Sequence, residues 1–301
     1  MTNSKQHLMS KLAEEGEDFV VAPPSVSAKS LSTFIRDFRK IQKDIPWSEL
    51  EELSWIEPGQ RNLKSVFPYL WQHANSEAAL FRKSTTEDRL QIRLWRSRVN
   101  QLATEILTEN PTVRFSPEQF GLEQVAEVAK LSSNLGSLNS LPDYLLSKGI
   151  VLVYVRALKG LKLDGVVYRT GAGIPVVAVS FRFPRLDNFW FTLLHELCHV
   201  ALHYDHLDNA IIEELEGVTP VERIEKQANQ AAKRSIVPRY IWERCNLKYK
   251  PVDESVFQLA EDMGVHPSLI AGLARRELND FSKFTNIVNS ENPRKIVFGV
   301  D

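Results

Sequence analysis

The stretch FWFTLLHELCHVALHYDH, Phe189 to His206, holds four of the chain's seven histidines. Its apolar residues recur every three or four positions, so it reads as one helix. On a helix, His195 and His199 lie about 40° apart around the axis and about 6 Å apart along it, which lets both imidazoles reach one metal ion. Glu196 follows the first of them by about 100°, close enough to hold a water beside that ion without becoming a ligand. HELCH is therefore an H-E-x-x-H helix signature, and the chemistry attached to that signature is zinc-assisted hydrolysis. The competing reading is a histidine stripe on an inert buried helix. A third ligand separates the two, because a catalytic zinc ion takes three protein ligands and keeps one position open.

A second helical run, VERIEKQANQAAKRSIVP (221–238), supplies candidates. Glu225 and Asn229 are four apart and share a face. Glu225 would complete a His2Glu set, and Asn229 is placed to bond a ligating imidazole and orient it from behind. Glu222 competes for the ligand role but has no Asn or Asp four residues on. His203 continues the four-residue spacing of the first helix, and with three ligands assigned it takes a supporting or packing role.

Working outward, the sequence changes character near residue 148. Before it the signals are helical: SAKSLSTFIRDFRKIQ (27–42), NLKSVFPYLWQHAN (62–75), TTEDRLQIRLWRSRVNQLATEIL (85–107) and SPEQFGLEQVAEVAKLSS (116–133) carry apolar residues at helical spacing. In the third, Trp95, Val99, Leu102 and Ile106 share one face, while Arg89, Arg93 and Arg96 share another. That basic stripe reads as a solvated face, since it lacks the interleaved aromatics of a nucleic-acid platform. After residue 148, GIVLVYVR, LKLDGVVYRT and IPVVAVSFRF are β-branched and aromatic runs divided by ALKG and GAGIP turns. Three short strands leading into the histidine helix predict a small sheet packed against it, with the helix starting at Asp187, whose carboxylate would cap the first turn. The expected fold class is α+β. A tail and linker over 1–27 precedes a helical region over 28–147 for docking or sensing, a zincin-like domain spans 148–281, and a C-terminal extension covers 282–301.

Composition bounds the function. With 37 Lys and Arg against 38 Asp and Glu, the 301-residue chain has no global electrostatic pull toward nucleic acid or membrane. No run approaches the apolar length of a membrane span. The two cysteines, Cys198 and Cys245, and an N-terminal stretch without the apolar core of a secretion signal point to the cytoplasm. Cys198 reads as a small buried thiol and His266 as a surface or turn residue.

Taken in order, FWFTLLHELCHVALH, EKQAN, IVP and LAEDMGVHPSLIAGLARREL resemble the ImmA/IrrE family of bacterial and phage metallopeptidases over about residues 149–278. PWSELEELSWI and LFRKS are similar to connecting segments of members fused to an Xre-type helix-turn-helix domain, although residues 1–46 show no such module. Cys198 stands where the family has glycine, Gln227 replaces its second acid, and Ala231 and Ser235 replace its Phe and Leu, so the wall behind the site is repacked. The resemblance implies one Zn2+ per chain and a protein substrate, a helix-turn-helix repressor or antitoxin encoded nearby, whose cleavage switches on a stress, prophage or defence programme. Glu196 would be the general base, and Tyr204, His206 and Tyr168 are candidates to polarise the substrate carbonyl. The strand IPVVAVSF would present an edge to an extended peptide. Two other readings stay open: a toxin–antitoxin component that acts by binding alone, and a DNA-linked regulator using the Arg89–Arg96 stripe.

Overall fold

The computed structural model describes residues 28–74, 87–207, 221–245, 247 and 249–300. The tail over 1–27 and the segment LFRKS lie outside them. The chain divides into two compact units, one made of 1–101 with 156–162, the other of 102–155 with 163–301. The division falls within a long helix, and the first strand begins further on, at Val151.

The first unit is built on α1 (Ala28–Ile41), α2 (Trp47–Glu52), α3 (Leu63–Ala74) and the start of α4 (Glu87–Glu109). Its core gathers Phe34, Phe38, Leu50, Leu63, Val66, Leu70, Leu94 and Leu158. Phe34 meets Phe67 edge-on at 5.3 Å, and the Tyr69 hydroxyl donates to the Trp55 carbonyl at 2.6 Å. Arg96 of α4 is buried and Arg93 half-buried, so the expected solvated basic stripe does not exist as such; the side chain of Arg89 is outside the described residues.

The second unit carries α5 (Leu122–Lys130), α6 (Ser137–Ser147), β1 (Val151–Tyr154), β2 (Gly165–Arg169), β3 (Pro175–Val179), α7 (Leu186–His203), α8 (Val221–Ile236), α9 (Arg239–Arg244), α10 (Asp253–Met263), α11 (Pro267–Leu278), α12 (Thr285–Val288) and α13 (Pro293–Phe298). The three strands form one sheet in the order β1-β3-β2, with β1 parallel and β2 antiparallel to β3. All five residues of β3 are buried, as a strand flanked on both sides requires. This arrangement corrects the expectation for IPVVAVSF: β3 is central, both its edges are taken, and it cannot accept a peptide.

α7 packs on β2, β3, α5, α8 and α11 at once. Leu186, Phe189, Trp190, Leu193, Leu194, Leu197, Cys198 and Val200 are all essentially buried, on most sides of the helix, which marks a core helix rather than an amphipathic surface one. Each such side chain stabilises the packed state by about 2 kcal/mol, so the rotation of α7, and with it the aim of its histidines, is strongly fixed. The helix begins one residue earlier than expected. Asp187 makes no capping bond; its carboxylate accepts from Arg185 Nε at 3.0 Å and lies against Gly272 of α11, where a Cβ would stand 2.6 Å from Asp187 Oδ2. A local ion pair with Arg185, the residue before the helix, took the place of the cap, while the negative charge still complements the helix dipole.

LAEDMGVHPSLIAG forms the α10–α11 hairpin, with Gly264 left-handed at the end of α10 and the His266 ring accepting from the Ser268 amide at 3.2 Å. The C-terminal residues close onto the same core: Arg294 donates to the carbonyls of Phe181 and Arg182 at 2.8 and 2.7 Å.

Gly149 tests this packing. It has φ +80° between α6 and β1, and a Cβ there would stand 2.8 Å from both the Arg114 carbonyl carbon and Phe115 Cα. Gly264 has φ +66° with nothing within 4 Å. Gly264→Ala should therefore cost about 1 kcal/mol, the left-handed penalty alone, and Gly149→Ala about 3 kcal/mol or more. Chemical denaturation of the two full-length variants checks the difference; equal losses would contradict it.

Candidate metal centre

Residues from two packed helices meet at one point. His195 Nε2 and His199 Nε2, one turn apart on α7, are 3.1 Å from each other. Glu225 of α8 reaches both, with Oε2 3.1 Å from His195 Nε2 and Oε1 3.2 Å from His199 Nε2. Among the described residues these three form the one group of His, Cys, Asp and Glu able to hold a metal ion. The triangle fits such an ion, because donor atoms bonded at about 2.05 Å in a tetrahedron stand about 3.3 Å apart. His199 is buried and His195 nearly so, while the Glu225 side chain is 41% exposed, so the centre opens to solvent past α8.

Electrostatics follow from the same geometry. Hydrogen bonds from His195 and then His199 hold the Glu225 carboxyl well below the usual carboxylate range, against the opposing effect of burial. For His195 the largest single effect, burial, pulls the ring down, yet Glu225 and Glu196 together outweigh it and the ring is raised above its ordinary 6.5. Asn229 adds the smallest push in that direction, although the buried Nδ1 of His195 has no partner within bonding distance.

The remaining candidates fall into place around this triangle. Glu222 is exposed and pairs with Lys226 at 3.8 Å. His203 is buried one turn beyond His199, its ring 5.6 Å away and its Nε2 unpartnered; burial, then His199 and His206, push it below its ordinary value. His206 is exposed in the turn after α7. The Tyr204 hydroxyl gives its only hydrogen to the Gly173 carbonyl at 2.6 Å, which leaves none for a substrate oxyanion. Tyr168 alternates with Val167, a core residue, and so projects from the sheet face turned away from α7. Burial pushes the Cys198 thiol up to about 12, which makes it inert at neutral pH.

Glu196 is 8% exposed and lies against β2, where a Cβ on Gly165 would stand 2.7 Å from its Oε1. Gly165 escaped notice in the sequence, where its only signal is a lone glycine opening a strand-like run.

Residues 148–271 match the model of one protein family, Peptidase_M78, described as the IrrE N-terminal-like domain. None of the curated proteins matches the chain. The segment that carries both helices of the centre is thus an IrrE N-terminal-like domain, consistent with the ImmA/IrrE family, and its family is one of metallopeptidases. An α+β fold with a small three-stranded sheet agrees with this. No described helix is long and apolar enough to cross a membrane.

Metal binding and protonation must compete here, because both imidazoles have to be neutral to bind a cation. In the metal-free chain the raised His195 contributes stability below its ordinary 6.5 that is lost as pH rises through its folded value. The depressed Glu225 contributes stability above the ordinary carboxylate range that is lost only in strong acid. The gain in thermal midpoint on adding zinc should therefore grow from about pH 5.5 to about pH 8. Glu225→Ala should abolish that gain and Glu222→Ala should leave it; the reverse pattern would reassign the acid.

Proposed function

We propose that the chain is a zinc-dependent endopeptidase of the His-Glu-His and Glu type. The reading rests on one observation, the meeting of His195 Nε2, His199 Nε2 and the Glu225 carboxylate within 3.2 Å of one another, beside a buried Glu196 that is not part of the triangle. When bound, the ion supplies Lewis acidity, which polarises a carbonyl oxygen and makes a neighbouring water more acidic. Glu196 takes a proton from the attacking water as the water oxygen bonds to the peptide carbonyl carbon. The same carboxyl then gives that proton to the amide nitrogen as the carbon–nitrogen bond breaks, so the products are a carboxylic acid and an amine. Burial between α7 and β2 keeps competing water away from this transfer.

The substrate is an extended peptide laid along β2. In the antiparallel pair, bonds from Ser180 N to Asp164 O and from Thr170 N to Ile174 O, both 2.9 Å, fix which residues face β3. By alternation, the peptide groups of Gly165 and Val167 point to the outer edge, and no third strand pairs with that edge among the described residues. Main-chain pairing there would give affinity without sequence-specific pockets. The likeness to ImmA/IrrE proteins points to a cytoplasmic helix-turn-helix repressor or antitoxin encoded nearby as that peptide's source, with a stress, prophage or defence response as the outcome.

Glu196→Gln should leave zinc content and thermal stability nearly unchanged and reduce hydrolysis by about 10³-fold. Co-expressed with the proteins encoded beside it, the wild-type chain should shorten one of them, and the Gln variant should bind that partner and leave it whole. Identical biological output from both chains, with the partner intact in each, would replace this reading with a binding module.

A further inference from the structure

Gly165 is not needed for its own backbone. Its φ lies outside the left-handed region, so the strand conformation suits any residue. The demand comes from α7. A Cβ on Gly165 would stand 2.6 Å from the methyl of Thr192, 2.7 Å from Glu196 Oε1 and 3.1 Å from Glu196 Cγ. Thr192 and Glu196 are one helical turn apart, so both lean over the same bare stretch of strand. The next residue facing α7, Val167, is buried in the core and fixes the distance between strand and helix.

We propose that Gly165 is a positioning residue: its missing side chain lets the Glu196 carboxylate rest on the β2 backbone, beside the edge at which an extended peptide would pair. This rests on the proposed role of Glu196. The carboxylate occupies the volume that any other residue at 165 would fill. A methyl at 165 must therefore turn it away from the water it deprotonates. A displacement of about 1 Å at such a group can cost about 100-fold in rate.

The test uses the full-length chain as Gly165→Ala, Thr192→Ser and the pair of both, each loaded with cobalt(II) in place of zinc. Thr192→Ser removes the methyl contact and leaves the contact with Glu196, so the pair should be more stable than Gly165→Ala alone. Two signals are read: the pH midpoint of the cobalt visible absorption, and the hydrolysis of fluorescein-labelled casein. Gly165→Ala and the pair should both retain the ion, shift the midpoint in the direction given by Glu196→Gln, and lose about 100-fold in rate; Thr192→Ser should retain the ion with the wild-type midpoint and rate. Restoration of the wild-type midpoint and rate in the pair would show that only helix–strand packing was disturbed and would overturn the proposal, as would a wild-type midpoint in Gly165→Ala. If the wild-type chain leaves casein whole, that result counts against the peptidase reading, and the cobalt midpoint still decides for or against Gly165.

Discussion

Everything in the second unit turns on how α7 is held. A helix that carries two imidazoles and a carboxylate into a protein interior incurs a desolvation cost, and the buried Nδ1 of His195 and Nε2 of His203 show that not every polar atom is compensated by hydrogen bonds. The apolar contacts of Phe189, Trp190, Leu193, Leu194, Leu197 and Val200 offset that cost and fix the rotation of the helix. With the rotation set, His195 and His199 can aim only at α8, and Glu225 is the acid that α8 presents to them. Two ring nitrogens whose lone pairs meet at 3.1 Å repel unless a proton or a cation lies between them, so the arrangement asks for positive charge at its centre.

The sheet serves the same helix from the other side. β3 is spent entirely on packing, and β2 forms a wall for Glu196 as well as an edge open among the described residues. One helix thus faces the His195–His199–Glu225 triangle toward α8 and a buried carboxylate toward β2, about 100° apart around its axis. The spacing of the signature thus places Glu196 against a strand backbone that Gly165 leaves bare.

How much of this was legible depended on whether the deciding contact was local. His195, Glu196 and His199 could be read from helical period, and Glu225 from its four-residue offset to Asn229, because helix geometry converts spacing into direction. Strand order could not be read that way: nothing in IPVVAVSF reveals that β1 and β2 both pair with β3, so the strand expected to offer an open edge is the central one. Asp187 looked like a cap from its position, but its carboxylate pairs with Arg185 two residues before it and fills the space that Gly272 of α11 leaves open. The arginine face of α4 looked solvated from its spacing, but the burial of Arg96 is set by neighbours that no local pattern discloses. Gly165 was invisible because its reason lies in Glu196, thirty-one residues on in the sequence.

X-ray absorption at the zinc edge of the loaded full-length protein addresses the centre most directly. The account predicts a first shell of nitrogen and oxygen alone at about 2.0–2.1 Å, with the multiple-scattering pattern of two imidazoles. A sulfur contribution at about 2.3 Å would bring Cys198 or Cys245 to the metal, and three imidazoles would bring in His203 in place of Glu225. Either result would contradict the site described above.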